Sequence, residues 1–120
     1  MIEKKGYRAI AKYLMVSPTK VRRVADNVRR KPYPEAIAIL DNLPHKGAKL
    51  LKKVIASAAA NALSKNKNLS EDMLFVSELL VNEGPRLKRL WHRARGKADI
   101  LAKRMSHITA VVDEIAKAGA

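Results

Sequence analysis

From Arg86 to Arg104 the chain reads RLKRLWHRARGKADILAKR, with eight cations against one acid, Asp99. Apolar runs bracket it: MLFVSELLV, Met73 to Val81, and the β-branched ITAVV, Ile108 to Val112. Both runs read as strands. Charge at this density cannot be packed into a core. The stretch must therefore leave the body and return as an arm, spanning 84–106 within a single domain 1–120. Arg95-Gly96-Lys97 is its turn-like triplet and lies near the midpoint. Pairing about that triplet sets Arg86 against Lys103 or Arg104, and Lys88 against about Ala102. Each half then holds about 11 residues and reaches roughly 35 Å at ~3.3 Å per residue. An isolated two-stranded ribbon is marginal in water, and like charges facing across it make it worse. The arm is expected to be mobile alone and ordered when surrounded by anion. Gly84-Pro85 marks a break at its near end.

Upstream, YRAIAKYLMV (Tyr7 to Val16) reads as a strand, although its alternation is poor. SPTKVRRVADNVRRKP opens a helix with Ser17 as N-cap and Pro18 at N1. Val21, Val24, Ala25 and Val28 form its apolar stripe. Lys20 falls at N3, where a cation sits badly with the helix dipole, so a partner outside the helix is expected to compensate. Lys31-Pro32-Tyr33-Pro34 ends this helix. PEAIAILDNL gives a short second helix with Ile37, Leu40 and Leu43 inward. A third runs from about Ala48 to Lys65, with Leu51, Val54, Ile55, Ala58 and Ala62 as its buried stripe. The expected architecture is α+β: a three-stranded antiparallel sheet packed on three helices, with a long protruding β-hairpin.

The net charge is +14 for 120 residues, 25 Lys and Arg against 11 Asp and Glu. A chain this basic implies a polyanionic partner. Four acids and no base lie between Glu71 and Glu83, so the charge is not spread evenly. There is no Cys, which excludes disulfide scaffolds and cysteine-based zinc sites. The N-terminus reads as no signal peptide. No run approaches the ~18 apolar residues of a membrane span. A cytoplasmic setting without membrane contact is expected. His45, His92 and His107 lack metal-ligand spacing. No phosphate-binding loop, nucleophile elbow or HExxH occurs, so no catalytic residue, metal or cofactor is expected.

The arm's Arg86, Lys88, Arg89, Arg93, Arg95, Lys97, Lys103 and Arg104 suit RNA phosphates, and arginine can also stack on bases. Trp91, beside Arg89, His92 and Arg93, is expected exposed near the tip and able to stack on a nucleobase. On the first helix Lys20, Arg22, Arg23, Arg29 and Arg30 form a second basic group. Lys49 and Lys53 on the third helix, with Arg8, Lys12, Ser17, Lys31 and His107, complete the expected RNA contacts. His107 could alternatively be a structural hydrogen-bonding residue. An architectural DNA-binding protein would share basic β-arms but would be a dimer; this chain is expected to be monomeric when free. An RNA-processing enzyme would need a catalytic constellation.

SPTKVRRVADNVRRK, KKVIASAAANA and VNEGPRLKRLWHRARGKADILAKRMSHITAVV closely resemble the bacterial large-subunit ribosomal protein twenty-two family. The resemblance runs from about Ala11 to Val112, and RxRGKAD followed by KRxSHIT is its most specific part. It implies an α+β body on the outer surface of the large ribosomal subunit. It also implies a β-hairpin threading ribosomal RNA to line the peptide exit tunnel, and a role early in assembly. The implied partners are large-subunit ribosomal RNA, neighbouring ribosomal proteins and the nascent peptide. The implied tunnel tip runs Lys88, Arg89, Leu90, Trp91, His92, Arg93, Ala94, Arg95, Gly96, Lys97. Two positions depart from the family pattern. His92, preceded by Trp91, stands where members commonly have Pro, and Arg29-Arg30-Lys31 stands where an RGK-type sequence often ends the first helix.

Overall fold

A computed structural model describes residues 6–92, 94–96 and 98–114. The chain runs β1 (Tyr7–Leu14), α1 (Pro18–Ala25), α2 (Tyr33–Asn42), α3 (Lys46–Lys65), β2 (Leu74–Glu83), β3 (Leu87–His92), β4 (Ala98–Lys103) and β5 (Ser106–Glu114). A short 3-10 turn at Glu71–Met73 leads into β2. The fold is the expected α+β arrangement. One antiparallel sheet has the order β1-β5-β2, and β3 and β4 form a separate two-stranded ribbon.

The apolar run ITAVV lies in β5 because β5 is the middle strand. Its inward residues Ser106, Ile108, Ala110 and Val112 are all fully buried. α3 lies across β1 and β5, while α1 packs on α3 and β2, and α2 packs on α3, β2 and the 3-10 turn. Leu51, Val54, Ile55, Ala58, Ala59 and Ala62 of α3 face this core. They meet Val21, Val24, Ala25 and Val28 from α1 and the turn after it. The other sheet face leaves Ile10 and Leu80 half-exposed.

Both outer strands carry a bulge, and the bulges explain their weak alternation. In β1, Ala11 pairs with Ile108 and Leu14 with Ser106, so Lys12 and Tyr13 together oppose His107. Tyr13 takes φ 59° there. The inward set is Tyr7, Ala9 and Ala11, then Leu14 rather than Tyr13. In β2 the register shifts between Val76 and Glu78, so the buried set changes from Leu74 and Val76 to Leu79 and Val81. One extra residue moves every later side chain to the other face.

α1 ends at Ala25, short of the expected end near Arg30. The next turn tightens through Asn27 N–H to Val24 O and Val28 N–H to Ala25 O, both 3.1 Å. Arg30, at φ 62°, turns the chain onto the outer edge of β2. Its N–H donates to Val76 O and the Val76 N–H to Lys31 O, each at 2.9 Å. Val28 stays buried, so the predicted stripe holds beyond the helix itself.

Candidate nucleic-acid interface

Two cations expected on RNA are directed to the protein's own backbone. Arg22 donates from Nε and Nη2 to Val81 O at 3.1 and 2.9 Å. Arg29 does the same to Leu79 O at 3.2 and 2.9 Å, while its Nη1 pairs with Asp26. β2 is an edge strand whose outward carbonyls lack a strand partner. The two guanidinium forks and the Arg30–Pro32 segment cover that edge. Arg22 and Arg29 therefore hold the α1 region to the sheet. Arg23 and Arg30 are exposed, and Lys31 lies 4.0 Å from Glu35.

A second group converges on the β1–α1 linker, Met15 to Ser17. Two adjoining concavities share Val16, Lys20 and Lys46. One, of ≈ 540 Å³, adds Arg23, Val24, Asn27, His45 and Gly47. The other, of ≈ 500 Å³, adds Met15, Ser17, Lys103 and Arg104. Among the described residues no acid lines either. The linker between them is pinned from both sides. Ser106 Oγ donates to Val16 O at 3.0 Å, and Lys46 Nζ donates to Met15 O at 3.0 Å. Ser17 precedes α1, but its hydroxyl makes no cap bond, and the first turn holds no acid. Lys20 thus sits among other cations, and neither the first turn of α1 nor the described lining supplies an acid to offset its unfavourable place on the helix. The sequence reading found Ser17, Lys20, Arg23, Lys103 and Arg104 but not Lys46 or His45. The missed signal was a helix start, HKGAK, without an acid.

The other predicted residues lie apart from this basin. Lys49 and Lys53 flank a ≈ 410 Å³ hollow between α2 and α3, where Lys52 pairs with Asp41. Arg8 and Lys12 are exposed on β1. His107 takes the structural role: its Nδ1 accepts the Tyr13 N–H at 3.0 Å, and the two rings meet edge to face at 5.0 Å.

In the ribbon Lys88 pairs with Ala102, as read from the sequence, while Lys103 pairs with Leu87 rather than with Arg86, which lies before the first ribbon pair. Arg95 (φ 63°, ψ 32°) and Gly96 (φ 74°) both lie in the left-handed region, as tight hairpin turns require. The strands are shorter than the eleven-residue halves expected. The pairing lapses over Gly84–Arg86 and Arg104–Met105, bridged by Gly84 N–H to Met105 O at 2.8 Å. Arg86 reaches Glu83 at 3.8 Å. Lys88, Arg95, Lys103 and Arg104 are exposed. Arg93 and Lys97 lie outside the described residues. For Arg89, Leu90, Trp91, His92 and Ala94 only the backbone is described.

This is a small, strongly basic α+β protein with a two-stranded ribbon set apart from its main sheet and, among the described residues, no cluster fit to hold a metal ion. Residues 9–113 match the family described as ribosomal protein L22p/L17e. The large ribosomal subunit protein uL22 of Treponema denticola is 64% identical over 95% of this chain and 97% of its own length. The proteins of the same name from Treponema pallidum and Borreliella afzelii are 56% and 54% identical, over 95% of this chain and 92% and 95% of theirs. The chain belongs to the L22p/L17e family. It is a structural, non-enzymatic constituent of the large ribosomal subunit, acting in translation within a cytoplasmic particle. No described helix is long and apolar enough to cross a membrane.

Proposed function

We propose that this chain binds large-subunit ribosomal RNA with its basic body and inserts the β3–β4 ribbon between RNA segments, so that the turn around Arg95-Gly96 lines the peptide exit tunnel beside the nascent chain. In this reading the arm is 84–106 of a single domain, the free protein is a monomer, and binding helps the subunit assemble. The observation that carries it is the ribbon itself. Its strands pair with each other and not with the main sheet; exposed Lys88 and Lys103 lie opposite Ala102 and Leu87 rather than acids, and Arg95 is exposed at the turn. Such a ribbon is held straight by a surrounding anion rather than by its own packing.

The test places a photoreactive amino acid at position 91 in intact ribosomes. Crosslinks to large-subunit RNA and to a stalled nascent peptide are expected. Crosslinks confined to proteins of the outer surface would overturn the tunnel placement. Gel filtration of the free chain should give a monomer mass; an obligate dimer would favour the architectural DNA-binding class.

A further inference from the structure

We propose that the basin between α1, α3 and the β4–β5 junction is a backbone-phosphate clamp, which grips RNA at the ribbon's root and thereby sets the ribbon's direction relative to the body. This rests on the RNA-binding reading and adds a mechanical role to one site within it.

Three observations carry it. The cations come from separate parts of the fold: Lys20 from α1, Lys46 from α3, and Lys103 and Arg104 from the end of the ribbon. Among the described residues no acid lines the concavity they share, so an anion entering from outside would relieve their mutual repulsion. The floor is already built. Ser106 Oγ and Lys46 Nζ hold the linker carbonyls of Val16 and Met15, so the site needs little ordering to bind. Finally, the ribbon joins the body at a weak place. Strand pairing lapses on both sides of the junction, leaving the Gly84 N–H to Met105 O bond across the gap. Arg104 stands in that gap and Lys103 at the last ribbon pair. A phosphate held jointly by Lys20 and Lys46 on the body and by Lys103 and Arg104 on the ribbon would brace this joint from the side.

The full chain has no Cys, so spin labels can be placed at Ser64→Cys on α3 and Ala102→Cys on the ribbon. Their distance distribution is measured by pulsed electron resonance, with and without deproteinised large-subunit RNA. The label pair is compared alone, with Lys20→Gln and Lys46→Gln, and with a control pair on exposed residues away from the basin, Lys65→Gln and Lys67→Gln. RNA is expected to narrow the distribution in the parent and the control. The basin variant should still bind, with its salt slope lower by roughly 0.7–0.9 for the one phosphate no longer neutralised from the body side, while its distribution stays broad. An unchanged thermal midpoint shows that the variant is folded. Equal narrowing in the basin variant would overturn the clamp but leave RNA binding intact. A distribution already narrow without RNA would also overturn it. Failure of the parent to bind RNA at all would remove both readings together.

Discussion

Arg22 and Arg29 are cations whose partners lie 59 and 50 residues away, on the carbonyls of Val81 and Leu79. A lysine at either place keeps the charge but loses the planar fork. Arg22→Lys is therefore expected to lower stability by about 1 kcal/mol, read as a shift in the urea midpoint, while Arg23→Ala leaves the midpoint almost unmoved. RNA affinity should rank the other way, with Arg23→Ala the more harmful. Equal effects of the two on the midpoint would show that the forks add nothing to the fold. Tyr33 gives a second single-residue outcome. Burial pushes its phenol above the ordinary value, Glu71 adds to this, and Lys52 opposes it. The folded state thus holds the phenolic proton more tightly than the unfolded chain. Its contribution is complete below pH 10 and is lost as pH rises through the folded value. Between pH 9 and 11, Tyr33→Phe should lose less stability than the parent, as measured by urea midpoints. The cationic character of these positions was legible in the sequence. The role of Arg22 and Arg29 was not, because a count of charge says where a cation stands and not which distant carbonyl meets it. His107 was half legible: its place at a strand start was clear, but its bond to the Tyr13 backbone depends on a bulge.

Among the elements, the three helices and β5 could be read because a stripe or a β-branched run survives intact along each. β1 and β2 were harder, since Lys12–Tyr13 and Ser77 shift the phase halfway along. The ribbon's register came through because one glycine turn fixes it. Its interruption did not, because it arises from the way two strand pairs meet. Gly84 sits at that meeting. A Cβ there would lie 3.2 Å from both His107 Cε1 and Met105 Cβ. Gly84→Ala is therefore expected to cost about 1–2 kcal/mol and to raise hydrogen exchange at the 84–105 bond. Deleting residues 89–97 should instead leave the body's unfolding midpoint unchanged, because the ribbon is a sheet separate from the β1-β5-β2 sheet of the body. In cells also making the normal protein, mass spectrometry should find that deletion variant in subunits more often than Arg23→Ala/Arg30→Ala. The reverse order would make the ribbon an assembly anchor first.

At the scale of the whole molecule, a net charge of +14 has to be met by the partner. If about 6–10 phosphates are neutralised, RNA affinity should fall roughly 10³–10⁵-fold between 50 and 200 mM salt. A nearly flat response in a filter-binding titration would mean that charge is not the main attachment. The order of strands carries a different consequence, one of time. β1 has no strand partner but β5, with Tyr7 opposite Val112, and β2 also pairs with β5. During synthesis the sheet's two flanks are therefore made first and must wait for its centre. Until Ser106 to Glu114 has emerged, neither flank can close, and two bulged strands stand open to proteases and to each other. Completion of the body is in effect a check that the ribbon has already been made. A chain stopped anywhere before Ser106 would lack the strand on which both flanks pair.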